Sequence, residues 1–316
     1  MSAIEALYTV FVVLSGIAMG SLVVLMVGHL MSEDWLAPVR GEAEAAALTL
    51  PLLLLLGLAL AFGLGEIFPW VGNRGDLPSA RASYLSPGFF LIRSAIYLTT
   101  CIGLAYWVTH TRHLRRTSAI GLALLTPVMT FSAYDWVLSR EPHWWSSLFG
   151  LAYGLGQVLA ALASAILITL LKTEPASPKR MASLERALLT LLLLTAWTWF
   201  AQFLIVWLAN LPHEVAWYLK RSDDGSLTLL GTSYALMLAA IVILVPSGVS
   251  RMAMLIGSGL ALLHHTTHML WVLQPRGGLS WLALGLILAI AALWIAVYLA
   301  VMRARPTYTE EAVKEP

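Results

Sequence analysis

Nine long apolar stretches constrain this chain more than any other feature of its sequence. They run near 6–30, 46–68, 88–109, 118–138, 147–171, 186–210, 228–247, 252–273 and 279–302. Crossing a hydrocarbon core of ~30 Å takes a helix of about 20 apolar residues, and each stretch supplies that length. Lipid offers backbone amides no hydrogen-bond partner, so a spanning segment is a helix or part of a closed barrel. The alternation of barrel strands is absent. Composition agrees: of 316 residues, 59% are hydrophobic and 11% charged, where an ordinary soluble domain carries about 25% charged residues. So few charges cannot cover a water-facing surface. The sequence therefore predicts an all-α polytopic membrane protein of about nine transmembrane helices and excludes a soluble enzyme.

The formal charge of +2 is too small for nucleic-acid binding as a main activity. The single cysteine, Cys101, lies inside an apolar run, which excludes internal disulfides and thiolate metal sites. The first apolar stretch is preceded by a flank with Glu5 and no Lys or Arg, and no small-residue cleavage site follows a short apolar core. It reads as a retained helix rather than a signal peptide. Pro and Gly punctuate the connections, of which 69–87 and 211–227 are the longest.

With nine crossings, 12 Lys and Arg fall on one side (Arg40, Arg112, Arg115, Arg116, Lys172, Lys179, Arg180, Arg186, Arg251, Arg303, Arg305 and Lys314). Six fall on the other: Arg74, Arg81, Arg140, Lys220, Arg221 and Arg276. The richer side is expected in the cytoplasm, with the N-terminus outside and the C-terminus inside. Trp70, Trp136, Trp144, Trp145, Trp217, Tyr218, Trp271 and Trp281 gather on the poorer side, most of them readable as an interfacial aromatic belt. Ala133–Leu138 (AYDWVL) and His268–Leu273 (HMLWVL) end the fourth and eighth stretches with a faint echo. It suggests two four-helix bundles, 1–140 and 141–275, followed by a ninth helix and polar tail over 276–316.

Ionisable groups inside a membrane are expensive, so they are the first place to look for chemistry. His264, His265 and His268 share the eighth stretch at i,i+3 and i,i+4 spacing. Histidine passes protons near neutral pH, which favours a proton or quinol-related role. The alternatives are hydrogen bonds to neighbouring Ser or Thr, or ligation of metal or haem. Haem b needs histidines on two facing helices, and no second mid-membrane histidine is found. On the outer half, Glu66, Asp135, Arg93, His143 and Glu214 complete the candidate set, with Arg93 able to pair with Glu66 or Asp135. Asp135 and His268 are expected to share one outer proton route. Around the first cytoplasmic turn lie His29, Glu33, Asp34, Glu42 and Glu44, readable as solvated loop charges or as an acidic site of proton uptake. Gln157 and Gln202 read as interhelical hydrogen-bond partners.

Three stretches together resemble one family. They are GHLMSEDW over Gly28–Trp35, with RGEAE over Arg40–Glu44, Leu50-Pro51 and Pro69-Trp70; SAYDWVLSREPHWWSSLFG over Ser132–Gly150; and FAQFLIVWLANLPHE over Phe200–Glu214. These resemble the NrfD-like quinone-interacting membrane subunits, most closely the ActF-type subunit of alternative complex III, a quinol:cytochrome c oxidoreductase. The similarity runs over nearly the whole chain. It implies a bacterial inner-membrane subunit with no redox cofactor of its own, with quinol or menaquinol as a bound substrate. The implied partners are a paralogous membrane subunit and subunits carrying iron–sulfur clusters and c-type haems. The larger relatives have an additional N-terminal helix. Relatives also tend to be acidic before the aromatic that ends the eighth helix, where this chain has His268. The competing reading is a proton-coupled secondary transporter, although no matched pair of Gly/Pro-broken helices marks a substrate site.

Overall fold

The computed structural model describes residues 1–31, 35–172, 177–246, 250–275 and 280–304. Backbone amides in lipid must be satisfied within their own segment, and the elements are accordingly helical. They are α1 (Ala3–Met31), α2 (Arg40–Ala47), α3 (Leu50–Leu60), α4 (Leu64–Ile67), α5 (Ser79–Tyr84), α6 (Pro87–His110) and α7 (Leu114–Ser132). The second half holds α8 (Phe149–Lys172), α9 (Pro178–Ala209), α10 (Pro212–Leu219), α11 (Asp224–Leu244), α12 (Arg251–Leu273) and α13 (Trp281–Ala304).

Among the described residues, eight segments are long and apolar enough to cross a membrane: 3–31, 36–67, 87–110, 114–140, 149–172, 178–209, 224–244 and 281–304. The chain is thus an all-α polytopic membrane protein. The ninth expected span, α12, has the length at 23 residues, but three histidines and two threonines in its second half lower its apolarity. It is accommodated by packing between α8 and α11.

Helix neighbours fall into two rings. In the first, α1, α3, α6 and α7 each pack against the next, and in the second α8, α9, α11 and α12 do the same. The rings meet through α1 and α7 against α8, and α13 packs outside against α1 and α2. α1 is the hub, with 83% of its most apolar stretch buried against 11% for α13. Small residues let the hub sit close to α8: a Cβ at Gly20 would lie 2.4 Å from the Gln157 carbonyl oxygen, and one at Gly16 would lie 1.7 Å from the Gln157 side-chain oxygen.

Helix ends follow local chemistry. The Asp223 carboxylate caps α11 by accepting from the Ser226 amide (3.1 Å) and hydroxyl (2.6 Å), and these bonds hold its carboxyl below the usual range. Ser250 caps α12 through the Ala253 amide at 3.2 Å. Asn210 and Gln274 close α9 and α12 at φ 48° and 42°, the left-handed stop. Three features differ from expectation. α9 begins at Pro178 rather than near 186. The first connection contains α2, packed under α1, α8 and α13 instead of lying in solvent. The long connections near 69–87 and 211–227 contain α5 and α10.

Candidate functional site

The last turn of α7 widens into a π turn over Ala133–Val137, a device that re-aims one side chain. It turns Asp135 fully inward, with 0% exposure. The Asp135 carboxylate accepts from Arg93 Nε (2.8 Å) and Nη2 (2.9 Å) and from the Tyr97 hydroxyl (2.8 Å). Arg93 Nη1 donates to the Tyr84 carbonyl at 2.9 Å, and the guanidinium lies 3.8 Å from the Tyr84 ring centroid. Burial pushes the Tyr84 phenol up to about 12. Of the two acids that sequence offered Arg93, the structure gives it Asp135, and Glu66 is exposed on α4. Asp135, expected to share a proton route with His268, is therefore an ion-paired carboxylate. It belongs to the first ring of helices and His268 to the second.

The π turn is pinned from several helices. The Tyr8 hydroxyl donates to the Trp136 carbonyl (2.7 Å) and the Ser139 hydroxyl to that of Asp135 (2.5 Å). Trp136 Nε1 donates to Ser94 Oγ (3.0 Å) and Trp70 Nε1 to Ser139 Oγ (3.3 Å). Against Trp136 lies a cavity of about 350 Å³ between α1, α3, α4 and α6, walled by Phe11, Leu54, Phe68, Phe90 and Leu98. Its polar edge consists of Tyr8 and Ser94, both already bonded to Trp136.

The histidines of α12 occupy the core of the second ring. His264 Nδ1 lies 3.0 Å from Ser233 Oγ and 2.9 Å from the Ser233 carbonyl, tying α12 to α11. For His264, the hydrogen-bonded structural reading holds. His268 sits between Trp199 and Trp271, with ring centroids 4.5 Å and 5.5 Å away. His265 faces Gly156 of α8. Nε2 of His265 and of His268 has no hydrogen-bond partner among the described residues. Both mid-helix amides join helices or loops: Gln202 Oε1 accepts from the Ser146 hydroxyl at 2.5 Å, and Gln157 Nε2 reaches Met269 Sδ at 3.5 Å.

The belt reading fails for most of the outer aromatics. Trp70, Trp136, Trp144, Trp217 and Trp271 are all buried. Trp144 stacks on Trp217 at 4.8 Å, and Trp217 meets Trp271 at 5.3 Å. Only Trp145 and Trp281 of the named tryptophans keep large exposure, 58% and 89%. Sequence reading also treated Arg140 and Arg221 as loop cations, yet both are buried. Arg140 donates to the Leu273 carbonyl and to Glu5 Oε1, each at 2.6 Å, while Arg221 donates to the Val272 carbonyl at 3.0 Å. They satisfy the orphan carbonyls that end α12, where cations are favoured by the helix dipole. The available signal was Glu5, a lone acid opening an otherwise apolar helix.

His143 is exposed, and Glu214 is half-buried with its carbonyl accepting from Trp144 Nε1 at 2.9 Å, so neither joins the two clusters. At the other end of the molecule His29, Glu42 and Glu44 are buried, which overturns the solvated-loop reading. Glu44 pairs with Arg40 at 2.8 Å, Glu42 lies 3.9 Å from Lys172, and His29 Nδ1 is 3.1 Å from Ser118 Oγ. Glu33 and Asp34 lie outside the described residues. Among the described residues, no group of three or more His, Cys, Asp or Glu is placed to hold a metal. No family model matches the chain, and no curated protein matches its sequence.

Proposed function

We propose that this chain is the membrane subunit of a respiratory quinol-oxidising complex, and that the cavity between α1, α3 and α6 receives the quinol ring. One observation carries the reading: an apolar, aromatic-walled cavity of about 350 Å³ ends on Trp136, the residue next to the buried Arg93–Asp135 pair. Pockets of this size and lining, with few polar groups, suit a flat apolar ligand. Phe68, Phe90 and Trp136 offer faces and edges to a ring. Arg93 and Tyr97 hold Asp135, Asp135 holds the π turn, and the π turn holds Trp136 at the cavity end. These are positioning roles.

Oxidation of a quinol to a quinone releases two protons and two electrons. Glu66, the exposed carboxylate of α4 between the cavity-lining Leu64 and Ile67, is the proposed acceptor of the released protons. The electrons pass to iron–sulfur and c-type haem centres on partner subunits, beside a paralogous membrane subunit. The setting is a bacterial inner membrane with the N-terminus periplasmic and the C-terminus cytoplasmic. Sequence resemblance supports these last statements, together with the asymmetry of Lys and Arg.

A photoreactive azidoquinone applied to native membranes containing the assembled chain tests the reading. Label is expected on α3 and α6, competed by excess quinol. Ala95→Trp, which fills the cavity, is expected to abolish labelling and to slow quinol-dependent reduction of partner haem at least tenfold. Label confined to other helices, or unchanged in Ala95→Trp, would overturn it.

A further inference from the structure

The two rings of helices leave a slot where they meet. α1 packs on α8 and α8 on α9, while α8 keeps α1 and α9 apart. Between them lies a cavity of about 470 Å³. Its deeper wall is made of Val23, Val27, Leu155, Val158 and Leu191, all only half-buried. Its mouth carries Trp35, Ser183 and Arg186. The slot is thus polar at its Ser183–Arg186 end and mostly apolar beyond it, with Thr190 the one polar side chain there.

Dimensions and charge both point to one kind of occupant. From Val23 to Met31 the apolar lining of α1 rises about 12 Å at 1.5 Å per residue. That is close to the ~15 Å hydrocarbon depth of a single leaflet, half of a ~30 Å core. The mouth lies in the N-terminal part of α9, which opens Pro178-Lys179-Arg180. Arg186 adds an exposed guanidinium, the side chain best suited to phosphate. An isoprenoid tail has no charge to meet Arg186.

We propose that this slot binds one acyl chain of an anionic glycerophospholipid, whose phosphodiester is held by Arg186 and Ser183. The lipid fills the seam between the rings and completes a wall that protein side chains leave half-covered. The site is independent of the quinol reading, because it lies at the opposite end of α1 from Tyr8 and Phe11.

The test uses the full chain, purified in mild detergent and titrated with phosphatidylglycerol, phosphatidylcholine of the same chains, or inorganic phosphate, with native mass spectrometry counting bound lipid. One phosphatidylglycerol per chain is expected, preferred at least tenfold over phosphatidylcholine and not displaced by equimolar inorganic phosphate. Arg186→Gln should abolish the preference and Arg186→Lys should retain part of it. Val158→Trp should prevent binding with the charge still in place. Equal binding of the two lipids, displacement by inorganic phosphate or by a quinone analogue, or wild-type affinity in both Arg186→Gln and Val158→Trp would overturn the proposal. If Val158→Trp does not fold, the comparison of Arg186→Gln with Arg186→Lys decides it alone.

Discussion

The side chains of Arg93 and Asp135 meet through two parallel hydrogen bonds, and Tyr97 donates a third to the same carboxylate. Desolvating each charge is costly, and what remains favourable depends on both partners being present. Asp135→Asn leaves the Arg93 guanidinium buried without a counter-charge and should destabilise the folded chain by about 3–5 kcal/mol. Replacing both, as Arg93→Met with Asp135→Leu, should recover most of that loss. Thermal unfolding in detergent, followed by the loss of the monodisperse peak, would check this. A single variant that melts with the wild type would show that the pair is not a structural lock. Sequence exposed the candidates here but not the pairing. Arg93 had two acids within plausible reach, and only the inward turn at Ala133–Val137 separates Asp135 from the exposed Glu66. Glu5 and Arg140 were illegible for a different reason. They are 135 residues apart, and no local pattern predicts an ion pair between helix ends so distant in sequence.

Helices were the most legible level, because the length and apolarity of each span are properties of contiguous residues. What the apolar runs could not convey was packing order. The most apolar stretches of α1 and α13 are equally apolar, yet α1 is the hub and α13 the periphery. The difference lies partly in Gly20, which lets α1 approach the α8 backbone at Gln157, and in Gly16, which leaves space for the Gln157 side chain. Gly20→Val would drive a side chain into the Gln157 carbonyl and should destabilise the chain by ~1–3 kcal/mol, as overpacking does. Gly103 of α6, with open space where its Cβ would be, is the control; Gly103→Val should change little by comparison. A melting series in one detergent would rank the two, and equal effects would remove the close α1–α8 approach as the cause. α2 shows the opposite case. Its acids and Arg40 look like a loop in sequence, but partners from α1, α8 and α13 bury it.

At the scale of the whole molecule, Ser79 opens α5 beside the start of α6, and Ser177 precedes α9 at the other end. Both are exposed. The Lys and Arg asymmetry assigns the Ser177 end to the cytoplasm, so a cysteine at Ser79 should react with an impermeant thiol reagent in intact cells and one at Ser177 only after lysis. Labelling of Ser177→Cys in intact cells would reverse the topology. By itself the sequence determined the class of fold, because solvation of backbone and side chains in lipid is decided residue by residue along each run. It also marked the residues worth suspecting, since a charge or imidazole in an apolar run is costly wherever it ends up. Only the tertiary structure decided which of those groups meet. Asp135 went to Arg93 and away from His268, Arg140 and Arg221 left the loops for the end of α12, and five tryptophans left the interface for the core. Each outcome depends on contacts between helices distant in sequence, where close packing and the need to pair every buried charge select one arrangement.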